Sequence, residues 1–226
     1  MEYSFIKKEG NEKLLLCVLG WASGPETLGK FDIEGFDILA VYDYRSTVHP
    51  NGLKEITDSY LQLWILGWSF GVYMAEKLAN VLKKPEMSLA VNGTSFPCDD
   101  KYGIPHRNLS LTVRSIANTG MDKFYIRMCG GDTAGFTPVN RDISELSVEL
   151  ATLSEAFGES DDTGMVWSEA LIGSRDVIFP VSNMKRFWEE RSPETALTVA
   201  DIPHYPFSEK GIKIIREIIG WKARNL

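Results

Sequence analysis

The chain has 226 residues, of which 44% are hydrophobic and 24% charged, and a formal net charge of −7. This length suits one α/β domain with an insertion and is too short for two large domains. The negative charge, without a basic arm or stripe across the chain, argues against nucleic acid as a partner. The amino terminus lacks the apolar core of a signal peptide, and no stretch approaches the roughly 20 apolar residues that span a bilayer.

Short apolar runs alternate with helix-like segments along most of the chain, which predicts a mostly parallel central sheet with helices on both sides. The predicted strands cover residues 3–7, 14–19, 36–42, 61–66, 87–91, 167–172 and 196–200. Helices are predicted over residues 72–82, 182–191 and 208–219. The last of these has Ser208 as its expected N-cap and Gly220 as its expected stop.

The alternation of strands and helices stops between about residues 97 and 164. Apolar residues recur there at helical steps from Ile143 to Phe157, after the start signal Asp142 and Glu145, and Gly158 is the expected stop. Shorter helices are predicted over residues 111–117 and 121–128. We therefore expect one α/β domain over residues 1–226 that carries a helical cap insertion at about residues 97–164.

The pentapeptide Gly67-Trp68-Ser69-Phe70-Gly71 has the G-x-S-x-G pattern and lies between a predicted strand and a predicted helix. This is the context of the nucleophile elbow of an α/β-hydrolase, in which a tight turn exposes a serine above the sheet edge. The flanking glycines let strand and helix approach closely. Ser69 is therefore the candidate nucleophile.

A serine hydroxyl needs a nearby base and an acid that orients that base. In this fold the three residues follow the chain order serine, acid, histidine. Of the three histidines only His204 lies late in the chain, just after the last predicted strand. Asp176 follows the preceding predicted strand and is the predicted acid, with Asp201 as a competitor only three residues from His204.

The tetrahedral intermediate of ester hydrolysis needs two N–H groups aimed at its oxygen. We expect one from Phe70, directly after Ser69, and the other from Trp21, in the glycine-containing loop that follows the second predicted strand. The rings of Trp21 and Trp68 are expected to wall an apolar substrate pocket, and simple core packing explains them equally well.

Neither the cysteines nor the remaining histidines form a pattern that predicts a metal site. Cys17, Cys98 and Cys129 are scattered and odd in number, which indicates reduced thiols in a cytoplasmic protein. His49 and His106 lie beside proline or charged residues, as solvated loop histidines do, without ligand companions. We expect no metal and no cofactor.

The insertion carries a local excess of positive charge. From residue 101 to residue 131 one acidic residue, Asp122, stands against five basic ones, a net charge of +4. Such a patch on an acidic protein is a candidate dock for an acidic partner. A solvated helix face balanced by the acidic residues after position 141 is an equally good explanation. The basic residues are Lys101, Arg107, Arg114, Lys123 and Arg127.

Four segments together resemble a known enzyme family: Gly20-Trp21, Gly67-Trp-Ser-Phe-Gly71, Gly173-Ser-Arg-Asp176 and Pro203-His-Tyr-Pro-Phe207. The chain resembles the short, stand-alone pimeloyl-[acyl-carrier-protein] methyl ester esterases of bacterial biotin synthesis, from the first buried strand to the last helix. Its insertion departs from the larger cap of the better-known esterases for the same step.

The resemblance implies hydrolysis of the methyl ester at the far end of a seven-carbon acyl chain, whose other end is a thioester to carrier protein. It implies an acidic carrier protein as partner, with Arg107, Arg114, Lys123 and Arg127 as docking candidates. An acyl thioesterase or a general short-chain carboxylesterase is an alternative on the same triad, and a non-catalytic binding protein is a second alternative. The sequence does not indicate an oligomeric state.

Overall fold

The computed structural model describes residues 1–157 and 165–225. Seven strands and seven α-helices lie in these residues. The strands are β1 (Glu2–Lys7), β2 (Lys13–Val18), β3 (Phe36–Tyr42), β4 (Gln62–Trp68), β5 (Met87–Val91), β6 (Glu169–Gly173) and β7 (Ala196–Ala200). The helices are α1 (Leu53–Asp58), α2 (Phe70–Ala79), α3 (His106–Thr119), α4 (Asp122–Met128), α5 (Ile143–Ala156), α6 (Val181–Arg191) and α7 (Glu209–Asn225). A short 3₁₀ turn spans Pro25–Leu28.

The strands form one sheet in the order β1-β3-β2-β4-β5-β6-β7, and β1 alone runs antiparallel to its neighbour. Every strand predicted from the sequence exists, within two residues of the expected bounds. The mostly parallel sheet with helices is thereby confirmed. Because parallel strands share one carboxyl-terminal edge, the loops after β2, β4, β6 and β7 meet at that edge.

The central strands are almost wholly buried. The five residues from Leu14 to Val18 of β2 have no exposed surface, and β5 is buried throughout. Continuous apolar runs of this kind are typical of strands covered on both faces. The core therefore holds the carboxyl-terminal edge of the sheet rigid beneath the loops that follow it.

Helices α3, α4 and α5 occupy the segment between β5 and β6, where the cap insertion is predicted. The start of α5 has the expected capping box, in which the Asp142 N–H donates to Glu145 Oε2 at 3.1 Å. The described part of α5 ends at Ala156, and the expected stop at Gly158 lies outside the described residues. Residues 158–164 of the predicted insertion lie outside them as well.

The prediction that Gly220 ends the last helix is wrong, because α7 continues to Asn225. A glycine is tolerated within a helix at a cost of about 1 kcal/mol relative to alanine. The final turn is held by Lys222, whose Nζ lies 2.8 Å from Glu169 Oε1 on β6. None of the helices within the described ranges has the length and apolar character needed to cross a membrane.

Candidate active site

Ser69 lies in a strained turn between β4 and α2. Its φ of 59° and ψ of −127° are unusual for a residue with a side chain. The turn is possible because Gly71 has no side chain: a Cβ there would lie 2.0 Å from the carbonyl oxygen of Val18 on β2. The strain is compensated by packing, and it presents the Ser69 hydroxyl at the carboxyl edge of the sheet.

Three side chains predicted from the sequence converge at this edge. Ser69 Oγ lies 3.0 Å from His204 Nε2, and His204 Nδ1 lies 2.6 Å from Asp176 Oδ2. All three residues are buried, with exposed fractions of 7%, 2% and 6% for Ser69, His204 and Asp176. Ser69 and His204 are 135 residues apart in the sequence, so the fold brings together distant parts of the chain. A hydroxyl, an imidazole and a carboxylate thus form one hydrogen-bonded chain, which is the kind of arrangement that serine-based acyl transfer uses.

The second oxygen of Asp176 is fixed by the main chain. Oδ1 accepts the N–H groups of Ile178 at 2.8 Å and Phe179 at 2.9 Å, which leaves Oδ2 for His204. The ring of Phe179 stacks on the His204 ring, with 6.5 Å between centroids. Asp201, the competing candidate, is instead exposed and pairs with Arg175 and Lys210.

The loop that carries His204 is held by two side chains. Trp68 Nε1 and Asn92 Nδ2 each donate to the His204 carbonyl oxygen at 2.9 Å. Asn92 also donates to the Pro203 carbonyl at 3.0 Å and accepts the Gly173 N–H at 2.6 Å. Its main chain is left-handed, with φ of 49°.

Asn92 is not among the site residues predicted from the sequence. The sequence feature that could have identified Asn92 is its position directly after β5, at the same sheet edge as Ser69 and His204.

The loop after β2 packs directly on the serine. A Cβ at Gly20 would lie 3.0 Å from the Ser69 Cβ, so a side chain there would require the loop or Ser69 to shift by a few tenths of an ångström. The next residue, Trp21, is buried and donates its indole N–H to the Leu146 carbonyl of α5 at 2.8 Å. The main chain of Trp21 is thereby held beside Ser69. On the other side, α2 begins at Phe70, whose N–H has no acceptor within the helix.

Ser69 and His204 border a small space that is partly open to solvent. Thr112 is among the polar residues at its wall, and no lysine or arginine of the described chain lines it. The rings of Trp21 and Trp68 are part of both the wall and the core, since each is at least 95% buried. The apolar lining side chains are Trp21, Trp68, Phe70, Leu109, Phe124, Met128, Leu150 and Ile178.

The four basic residues singled out in the insertion are exposed on two helices. Arg107 and Arg114 lie on α3, while Lys123 and Arg127 lie on α4. The same two helices line the space beside Ser69. Lys101, the fifth basic residue of the stretch, is paired with Glu190 at 2.6 Å.

The other histidines lie apart from this site. His49 is exposed in a loop, as expected, whereas His106 is exposed but begins α3 and is not in a loop. Its Nδ1 lies 3.1 Å from Cys98 Sγ. Within residues 1–157 and 165–225 there is no cluster of three or more His, Cys, Asp or Glu side chains able to hold a metal ion.

One family model matches most of this chain. Residues 1–212 match the family model described as pimeloyl-ACP methyl esterase BioG. The chain is 31% identical over 211 residues to a Bacteroides fragilis (strain 638R) protein named malonyl-[acyl-carrier protein] O-methyltransferase. That match covers 91% of this chain but spans only 41% of the length of the Bacteroides protein.

The fold of this chain is also similar to those of solved structures. The crystal structure of BioG from Haemophilus influenzae has a TM-score of 0.80 and 29% identity, over 92% of this chain and 95% of that one. The esterase EaEST from Exiguobacterium antarcticum has a TM-score of 0.69 over 98% and 94%, and at 13% identity it shows the shared fold alone.

The α/β-hydrolase fold and the family resemblance predicted from the sequence are therefore confirmed, as is the class of carboxylic ester hydrolases. This chain belongs to the pimeloyl-ACP methyl esterase BioG family.

Proposed function

We propose that this protein is a serine carboxylesterase that hydrolyses the methyl ester of pimeloyl-[acyl-carrier protein] to pimeloyl-[acyl-carrier protein] and methanol in biotin biosynthesis. The observation that carries the proposal is the 3.0 Å approach of Ser69 Oγ to His204 Nε2, in a chain of this family. The three free cysteines suit a reducing compartment, so we place the reaction in the cytoplasm.

In the proposed mechanism, Ser69 attacks the carbonyl carbon of the methyl ester while His204 accepts the hydroxyl proton. Asp176 keeps His204 in the tautomer whose Nε2 can accept that proton and stabilises the imidazolium that forms. The tetrahedral intermediate collapses as His204 protonates the departing methanol. Water, activated by His204, then hydrolyses the acyl-enzyme and regenerates Ser69.

The oxyanion of each tetrahedral intermediate is stabilised by the main-chain N–H groups of Phe70 and Trp21 in this proposal. The Phe70 N–H is at the amino terminus of α2, where the helix dipole favours negative charge. The close packing of Gly20 on Ser69 supports the second assignment, because it holds the following N–H near the nucleophile. Both donors are fixed before the reaction, so little reorganisation is needed when charge develops.

The apolar wall of the neighbouring space supports an ester with a methylene chain as substrate. Side chains such as Leu109, Phe124 and Met128 contact methylene groups favourably. The neutral methyl ester can enter this lining, whereas the ionised carboxylate of the product is costly to bury without a cationic partner. The same surface therefore admits the substrate and favours release of the product.

We further propose that an acidic carrier protein docks across α3 and α4. Arg107, Arg114, Lys123 and Arg127 are exposed there, on the helices that line the space beside Ser69. Two exposed apolar side chains on the same helices, Leu111 and Ile126, suit a mixed charged and apolar interface. A carrier held at this surface delivers its acyl chain directly into the space. Opposite charges would also accelerate the encounter.

The deciding experiment is incubation of the purified protein with pimeloyl-[acyl-carrier protein] methyl ester, followed by intact-protein mass spectrometry. We expect loss of the methyl group while the acyl chain stays on the carrier. Ser69→Ala is the matched control, and its turnover should fall by about a thousandfold or more with an unchanged melting temperature.

Each alternative function predicts a different experimental result. Release of the free carrier thiol would identify an acyl thioesterase instead, and turnover of short-chain esters alone would identify a general carboxylesterase. Failure of a serine-directed fluorophosphonate to label the wild-type protein at Ser69 would indicate a non-catalytic binding protein.

A further inference from the structure

Helix α5 accepts hydrogen bonds from both Trp21 and Ala22, the two residues joined by one peptide bond. The Trp21 indole N–H donates to the Leu146 carbonyl at 2.8 Å, and the Ala22 main-chain N–H donates to Glu149 Oε2 at 3.3 Å. Leu146 and Glu149 are three residues apart, so they lie on one face of the helix. Ala22 is left-handed, with φ of 55°, a conformation that needs such support in a residue with a side chain.

The same carboxylate also holds the loop after β3. Glu149 Oε1 accepts the Tyr44 main-chain N–H at 2.9 Å, and the Tyr44 hydroxyl donates to the Leu19 carbonyl at 2.7 Å. Glu149 has no exposed surface. One buried carboxylate on the insertion thus joins the two loops that leave neighbouring strands of the sheet, directly behind the proposed oxyanion site.

An arginine with a largely buried side chain accompanies this carboxylate. Arg141 Nη2 donates to Glu149 Oε2 at 2.9 Å and to the Ser23 carbonyl at 3.2 Å. Its Nη1 lies 3.2 Å from Asp43 Oδ1, and Arg45 also pairs with Asp43. Burial raises the pKa of Glu149, and the positive charge of Arg141 opposes that rise.

Such a cluster is not needed to close the core. Burying a carboxylate and a guanidinium costs several kcal/mol of desolvation, and well-packed apolar residues often replace such pairs without loss of stability. The cluster is instead suited to orientation, because it fixes the main chain at hydrogen-bond precision at the loop where the second oxyanion donor is proposed.

We propose that Glu149 and Arg141 are positioning residues for the oxyanion site, Glu149 by fixing the Trp21–Ala22 peptide and Arg141 by neutralising that carboxylate. The inference rests on the proposed function, with Ser69 as nucleophile and the Trp21 N–H as donor. A bare carboxylate one peptide bond from that donor would repel the negative charge that develops in the transition state. The arginine removes this repulsion while the carboxylate keeps its hydrogen bonds.

The test compares Glu149→Gln and Arg141→Met with wild type on a small methyl ester that needs no carrier protein. We expect kcat to fall about 10- to 100-fold in each variant, with KM changed by less than about threefold. Affinity for a boronic acid, which binds serine as a tetrahedral adduct, should fall by the same factor as kcat. A merely structural role would not move either quantity in folded protein.

Two further variants separate orientation from charge. Arg141→Lys keeps the charge, so we expect most of the activity to remain, and it serves if Arg141→Met does not fold. In the double variant Glu149→Gln/Arg141→Met the bare carboxylate is gone, so its kcat should exceed that of Arg141→Met alone.

The matched control is Glu76→Gln. Glu76 is a partly buried glutamate on α2 that accepts hydrogen bonds from Ser95 Oγ and, at 2.7 Å, from Trp167 Nε1. We expect this control to leave kcat and boronic acid affinity unchanged, because an amide oxygen can accept the same two hydrogen bonds. If Glu149→Gln behaves in the same way, the inference is wrong. A wild-type protein that binds no boronic acid would instead refute the catalytic serine, and this inference with it.

Discussion

Trp68 and His204 are joined by a hydrogen bond of 2.9 Å from the indole N–H to the main-chain carbonyl. The residue before the proposed nucleophile therefore holds the residue that carries the proposed base. The ring of Trp68 also lies 5.7 Å from the His204 ring and 5.4 Å from Phe207, on the far side of the same loop. Packing and hydrogen bonding together determine where the imidazole lies.

Trp68→Phe keeps an aromatic ring and removes this donor. We expect kcat on a small ester to fall about tenfold, because the His204 carbonyl loses one of its two hydrogen bonds. The unfolding free energy should fall by about 1–2 kcal/mol. Trp64→Phe, at another buried tryptophan of β4, is the control and should lose stability without losing kcat. Equal kcat in the two variants would show that the indole N–H does not position His204.

Asp176→Asn should lower kcat by about a thousandfold to ten-thousandfold. The two N–H groups of Ile178 and Phe179 would select the amide oxygen of the new side chain, which turns its NH₂ toward His204 Nδ1. Nδ1 must then accept, so the proton moves to Nε2, which can no longer accept the Ser69 proton. Steady-state kinetics with Asp201→Asn as control, expected near wild type, would decide between the two aspartates.

Charge reversal at Arg107 and Arg114, both to Glu, should raise KM for the carrier-bound methyl ester about tenfold or more and leave the small ester unaffected. The wild-type KM should also rise with salt, because the attraction is between exposed charges. Lys213→Glu on α7, a helix that contributes no residue to the described lining beside Ser69, is the control. An unchanged KM in the double variant would place the carrier elsewhere.

Asp37 should make the protein less stable in acid. Burial alone would raise its pKa, but hydrogen bonds from the Glu9 N–H, the Tyr60 hydroxyl and Asn11 outweigh it and lower the pKa to about 2. Because the folded pKa is below the ordinary value, the stabilisation is present above about pH 4 and is lost as pH falls toward 2.

Denaturant unfolding between pH 6 and pH 2 tests this expectation. Asp37→Asn should be less stable than wild type at pH 6 and should lose less stability on acidification. Asp58→Asn, at an exposed residue paired with Lys54, should follow the wild-type curve. Parallel curves for Asp37→Asn and wild type would contradict the assignment.

The sheet could be predicted from the sequence because its strands are continuous apolar runs with turns at both ends. The bounds of β3, β5 and β7 agree with the predicted ranges. The end of α7 could not be predicted, because a contact with Glu169, far away in the chain, keeps the turn after Gly220 helical. Local sequence carries no signal for such a contact.

The candidate site likewise has a part that the sequence predicts and a part that it does not. Ser69, Asp176 and His204 each follow a predicted strand, so their convergence follows from the topology of a parallel sheet. The contact between Ala22 and Glu149 joins residues 127 positions apart and depends on how the insertion packs, which no local pattern encodes. The side chain of Asn92 likewise contacts main-chain groups. Because these groups are the same at every position, the sequence does not indicate its partners.

The hold of α5 on the loop after β2 limits how this family can exchange one cap for another. A transplanted cap must bring a carbonyl within reach of the Trp21 indole and an acceptor within reach of the Ala22 N–H. A cap that only covered the substrate would leave the loop after β2 without these two hydrogen bonds. In chimaeras of these esterases, the middle of α5 and the loop after β2 should therefore come from the same parent protein.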